Sequence, residues 1–271
     1  MQIFHLQKTN KYPVLDAMKI LMAFFVVGIH TGTITNTQYP WTLDILLASA
    51  VPFFFFCSGF LLQNKIINKQ TEFSTIQKYL KKTLKLFVLW HLVYMPVDLR
   101  YMFHASNTLW EDLFIYFKML ILNGETYFTW PLWYLHGLLV SVIIIRLLRK
   151  LKTPLPLIWI LSFTIAIFGH FERNGLYQGL ICVTTGMLIR QYLPQLPFHL
   201  KDNTIYSTLR LHSTLIYFLH MYFVLFMFAI YKDNQYPYLS WVIVFLATWL
   251  ISYLIGILRR RAAFQWINHL I

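Results

Sequence analysis

The apolar residues of this chain fall in blocks about 17 to 22 residues long, a pattern that few water-soluble folds can absorb. Crossing the hydrocarbon of a bilayer takes roughly 20 apolar residues as helix. Helix is favoured there because every backbone polar group must be satisfied within the segment. Eight such blocks are read, at 15–34, 42–63, 83–101, 131–149, 154–170, 175–191, 210–231 and 238–258. The composition agrees: 58% of residues are hydrophobic and 12% charged, against roughly a quarter charged in soluble domains. The expected fold is an all-α integral membrane protein, a polytopic bundle of about eight transmembrane helices forming a single domain over 1–271.

Lys8 and Lys11 precede the first block as in a secretion signal, but Asp16 and Lys19 interrupt it and no small-residue cleavage site follows. It reads as a retained first span. Cys57 and Cys182 both lie inside spans, which leaves no disulfide framework and no zinc spacing. No metal site is expected, and both cysteines read as small packing residues.

A net charge of +13 raises the question of nucleic acid. Its placement answers it. With eight spans, 17 basic residues fall on one side, from Lys8 and Lys11 through Lys65, Lys78 and Arg149 to Lys201, Arg210 and Arg259–Arg261. Arg100, Lys118, Arg173 and Lys232 fall on the other. This positive-inside pattern predicts both termini cytoplasmic in a multi-pass protein of the cytoplasmic membrane. Lysines beside inner headgroups need no nucleic acid partner, only the lipid bilayer. Seven of the ten acids, Asp44, Asp98, Glu111, Asp112, Glu125, Glu172 and Asp233, lie at the opposite face. There the segment 109–122 is too short to span and reads as a re-entrant or interfacial helix, either roofing a cavity or simply packing on the surface.

Within the first span, "LDAMKILMAFFVVGIH" keeps three groups that membranes disfavour, Asp16, Lys19 and His30. Lys19 and His30 are eleven positions apart, so on a helix they project about 20° apart and about 16 Å apart along the axis. They are expected to line one cavity at different depths, Lys19 on the cytoplasmic side and His30 toward the outside. Asp16 stands one turn before Lys19, within pairing reach. The plainer alternatives are a snorkelling lysine and an interfacial histidine. Gly28 and Gly32 would let a helix or a ligand approach closely.

These residues resemble the opening of the membrane acyltransferase-3 family, whose first helix carries arginine, ten residues, then histidine; here the pattern is Lys19-x10-His30. Four further stretches are similar to the family in order: "VPFFFFCSGFLL" (51–62), "KYLKKTLKLFVLW" (78–90), "WPLWYLHGLLV" (130–140) and "LIYFLHMYFVLF" (215–226). The family commonly has ten spans, so this chain resembles a shortened member, lacking a pair most simply between 191 and 210. Lysine in place of arginine gives a point charge rather than a bidentate fork.

The resemblance implies transfer of an acyl group, acetyl in the first instance, from cytoplasmic acyl-CoA to a hydroxyl of an envelope saccharide or lipid-linked sugar. Acyl-CoA would be a donor substrate, with no bound cofactor. His30 takes the part of general base and Lys19 that of the cation orienting the donor. Lys81, Lys82 and Lys85 could hold CoA phosphates, or be ordinary inner-face lysines. Asp16, Trp133, Tyr134 and His220 are candidate substrate-binding residues. Trp133 and Tyr134 would otherwise be interfacial anchors, and His220 a satisfied core histidine. Ser58 reads as helix-packing glue or, less simply, as a nucleophile. His91 and His136 are weaker candidates. "GLYQGLICVTTG" (175–186) spaces small residues for helix packing. Two rival functions stand beside transfer. One is a carrier for a serine-like amino acid, since a related membrane domain occurs fused to serine racemases. The other is a non-catalytic, degenerate homologue.

Overall fold

A computed structural model describes residues 12–66, 68–102, 108–169, 175–193, 204–230, 236–261 and 264. Lys8, Lys11, Glu172, Arg173, Lys201, Lys232 and Asp233 lie outside the described residues, as does most of the connector 191–203. Among the described residues the regular structure is helical throughout, with no strand.

Each predicted span coincides with helix. α1 (Pro13–Ile34) starts on a proline, whose missing N–H costs nothing in a first turn. The second span is broken into α2 (Trp41–Ala48) and α3 (Ala50–Lys65). The joint is at Ser49, whose hydroxyl bonds back to the Leu46 carbonyl at 2.6 Å. Pro52, three residues on, has no N–H to return to the preceding turn. α4 (Lys69–Met102) is far longer than the predicted 83–101. Its 34 residues extend about 51 Å, so the lysine-rich half continues the helix beyond the apolar half. α6 (Trp133–Lys150), α7 (Leu155–Phe168), α8 (Gly175–Tyr192), α9 (Thr204–Ile230) and α10 (Pro237–Leu258) complete the series.

α5 (Leu109–Leu122) occupies the segment expected to lie at the interface. Thr108 and Glu111 form a reciprocal capping box at its start. The Thr108 N–H and hydroxyl hold the Glu111 carboxyl below the usual carboxylate range. In the turn beyond, burial pushes Glu125 up. Trp110, Phe114 and Ile121 are exposed on α5, and at 14 residues it is too short to cross.

Among the described residues five stretches are long and apolar enough to cross a membrane: α1, α2 with α3, Trp130–Lys150, α9 and α10. α7 is apolar but shorter. The helices pack as two groups, α1 with α9 and α10, and α3 with α6, α7 and α8, while α4 lies on α6. α3 and α8 approach most closely. A Cβ on Gly59 would stand 2.0 Å from the Val183 carbonyl oxygen, and one on Gly186 2.1 Å from that of Phe56. The small residues of 175–186 serve packing. Gly28 and Gly32 do as well, since Trp241 and Tyr39 fill the space against them.

The charges segregate between the two ends of the bundle. At one end Tyr12 and Arg190 both bond to Asn64, at 2.9 and 2.8 Å. Arg149 pairs with Glu72 at 2.7 Å and Arg210 with Asp16 at the same end. At the other, the buried Asp98 accepts from Thr126 at 2.6 Å and from the Phe128 N–H at 3.1 Å. Thr126 meets Thr129, which lies 3.4 Å from His91. His91 is thus a satisfied structural histidine, its Nδ1 on the Phe87 carbonyl. His136 is tied to the Ile121 carbonyl at 3.1 Å.

Candidate functional site

A cavity of about 480 Å³ opens along the seam between the two helix groups, at the basic end. Helix direction orders its wall. α3 runs toward the basic end, so Lys65 is at the mouth and Phe54, eleven residues earlier, about 16 Å deeper. α9 runs away from it, placing Ser207 and Arg210 at the mouth and Tyr217 deep. Five cations line this space: Lys19, Lys65, Lys82, Arg210 and Arg259. Walls of low dielectric sharpen the positive field that such a cluster makes.

Asp16 organises two of the five. It is 2% exposed and lies 3.5 Å from Lys19, as the spacing predicted. Arg210 Nε reaches its two oxygens at 3.0 and 3.1 Å, and Arg210 Nη2 closes the fork. The guanidinium supplies the bidentate geometry that lysine at position 19 lacks. Asp16 is therefore a positioning group for cations.

Of the three lysines on α4, Lys82 is on the cavity wall, with Tyr79, Thr83 and Leu86. Lys81 and Lys85 are exposed and are not on that wall. At 100° per residue Lys85 stands about 60° and Lys81 about 100° from Lys82 around the helix. The aromatic pair also divides. Trp133 packs on Phe55 with ring centroids 6.0 Å apart, while Tyr134 lines the cavity. Tyr134 meets the Ser58 hydroxyl at 2.7 Å and the Phe54 carbonyl at 3.2 Å. Ser58 thus couples α3 to α6 from the cavity wall.

The deep end is closed by Phe54, Tyr134 and Tyr217. Their ring centroids are 6.3 Å apart for Phe54 and Tyr134, 5.9 Å for Phe54 and Tyr217, and 5.5 Å for Tyr134 and Tyr217. The Tyr217 hydroxyl donates to the Pro131 carbonyl.

His30 is not on the wall of this cavity. This cavity does not extend from Lys19 to His30, and rings from α3, α6 and α9 stand at its deep end. Beyond them, Tyr217 contacts His220 with centroids 6.3 Å apart, and His220 contacts His30 at 5.2 Å. His220 Nδ1 lies 3.1 Å from the Ile216 carbonyl and 2.8 Å from that of Tyr217. Carbonyls only accept, so Nδ1 carries the hydrogen and Nε2 keeps a bare lone pair. That Nε2 is buried and makes no hydrogen bond among the described residues. The structure therefore pairs two imidazoles, one with a fixed tautomer, beyond an aromatic partition.

Sequence reasoning did not single out Arg210, Lys65, Arg259, Tyr79 or Tyr217 for this site. Arg210 had been counted only as one more basic residue at its end of the bundle. A buried aspartate on α1 that needs more than a neighbouring lysine was the available signal.

The profile of an acyltransferase domain matches residues 12–270. A serine/alanine racemase of Enterococcus gallinarum is 27% identical over 209 residues, covering 65% of this chain and 29% of the racemase. An amino-acid racemase of Enterococcus faecalis is 24% identical over 177 residues, covering 64% and 23%. The chain thus spans under a third of the length of these relatives. No solved structure matches it significantly. The helical architecture agrees with the profile match over nearly the whole length, and the chain belongs to the acyltransferase-3 family.

Proposed function

We propose that the protein is a membrane O-acyltransferase, taking an acetyl group from cytoplasmic acyl-CoA and placing it on a hydroxyl of an envelope glycan or lipid-linked sugar. The observation that carries this reading is the five-cation cavity with an aromatic floor, and an imidazole pair beyond that floor. In this reading all eight helical segments cross the cytoplasmic membrane, with the basic end in the cytoplasm. Lys65, Lys82 and Arg259 hold the CoA phosphates. Arg210 joins them at the mouth, and Lys19, set with it by Asp16, lies about one turn deeper along the donor.

His30 takes the proton of the acceptor hydroxyl as its oxygen attacks the thioester carbonyl. The carbon–sulfur bond breaks, and the CoA thiolate leaves and is protonated by the His30 imidazolium. The products are the ester and free CoA. His220, its own Nδ1–H fixed on two carbonyls, packs against His30 and holds the orientation of that ring. The test is transfer of labelled acetyl from acetyl-CoA to O-deacylated envelope glycan by purified protein in lipid nanodiscs. His30→Ala is expected to reduce transfer by about 100-fold or more, and undiminished transfer refutes the mechanism.

A second reading is carriage of a serine-like amino acid, prompted by the similarity to proteins named as serine/alanine and amino-acid racemases. A zwitterion brings one anionic group and the donor several, so the polyanionic donor is the better fit to a wall that carries five cations. Uptake of labelled serine into proteoliposomes, lost in Lys19→Gln, would favour carriage instead.

A further inference from the structure

We propose that Phe54, Tyr134 and Tyr217 form a constriction that selects the acyl chain by length, admitting short groups and excluding long ones. The proposal rests on the acyl-donor reading above and adds to it which donors are accepted.

The cavity changes character along its depth. Its mouth carries Lys65, Lys82, Arg210 and Arg259, and its deep part Leu86, Leu135 and Phe218 beside the three rings. A donor with anionic phosphates and an uncharged arm therefore enters with its phosphates at the mouth and its thioester leading. The leading acyl group meets the rings first.

Those rings are held firmly. Tyr134 is fixed between Ser58 and the Phe54 carbonyl, and Tyr217 is fixed on the Pro131 carbonyl and packed against His220. Phe54 packs against both. The imidazoles lie on the far side, reached through Tyr217 and then His220. An acetyl carbonyl must advance between these rings to meet an acceptor beside His30. A chain several carbons longer has no room unless the rings move, and packed interiors resist added methylenes.

The test is equilibrium binding of CoA, acetyl-CoA, butyryl-CoA and hexanoyl-CoA to the purified full chain in nanodiscs. Wild type is expected to bind CoA and acetyl-CoA alike and hexanoyl-CoA about tenfold or more weakly. Phe54→Ala is expected to bring hexanoyl-CoA to within about threefold of acetyl-CoA. Should that variant fail to fold, Phe54→Leu and Tyr217→Phe are expected to narrow the same ratio. If wild type binds every chain length equally, or a folded Phe54→Ala keeps the wild-type ratio, the constriction is refuted and the donor reading stands. If wild type does not bind CoA itself, the donor reading falls, and the constriction with it.

Discussion

Arg210 grips Asp16 across 194 positions of sequence, joining the first turn of α1 to the first turns of α9 at the mouth of the cavity. Removing one partner of a buried pair leaves the other uncompensated. Because the Arg210 side chain is 44% exposed, water repays part of that loss. Asp16→Asn is expected to lower stability by about 2 kcal/mol, read as a shift in the unfolding midpoint in detergent. No shift would show that the pair is not structural.

The cavity wall divides the basic residues of α4 by direction. Lys82→Gln, Lys65→Gln and Arg259→Gln are each expected to weaken CoA binding about fivefold, and more at low salt than at high. Lys81→Gln and Lys85→Gln, which are not on the cavity wall, should leave it within about twofold. Equal losses at all five positions would mean that diffuse charge, and no shaped site, attracts the donor.

His220 acts through His30 and does not touch the donor cavity. His220→Gln is expected to lower acetyl transfer about tenfold while acetyl-CoA binding is unchanged. The pH–rate profile should also change shape, because a second imidazole no longer stands beside His30. A loss of rate that is the same at every pH, or a parallel loss of binding, would reduce His220 to a packing residue.

The α3–α8 contact leaves no space for a methyl group at Gly59, where the obstacle is the Val183 backbone. Gly59→Ala is expected to cost about 1–3 kcal/mol. At Gly256 an added Cβ meets the flexible end of Leu211 at 3.3 Å, so Gly256→Ala should be nearly neutral. Thermal unfolding of the two variants side by side checks this.

Much of the architecture was legible because a bilayer leaves little choice: long apolar blocks become helices, and their positions follow from block boundaries. The break at Ser49 was not, since 42–63 reads as a single span. Nor was the length of α4, whose lysines mark the end of the apolar part but do not end the helix. At the site, the Asp16–Lys19 pair was legible because its geometry is local. Arg210, Lys65 and Arg259 were not, because their meeting depends on which helices share the seam. Helical phase set Lys19 and His30 on nearly one face of α1. It could not reveal that Phe54 and Tyr217, carried by other helices, stand in the space between.

The central claim is that the donor binds on one side of the aromatic partition and the base acts from the other. The most direct measurement takes acetyl-CoA binding and acetyl transfer together on His30→Ala. Binding within about twofold of wild type, with transfer reduced about 100-fold or more, is the predicted result. Loss of binding together with transfer, or transfer that survives, would contradict it.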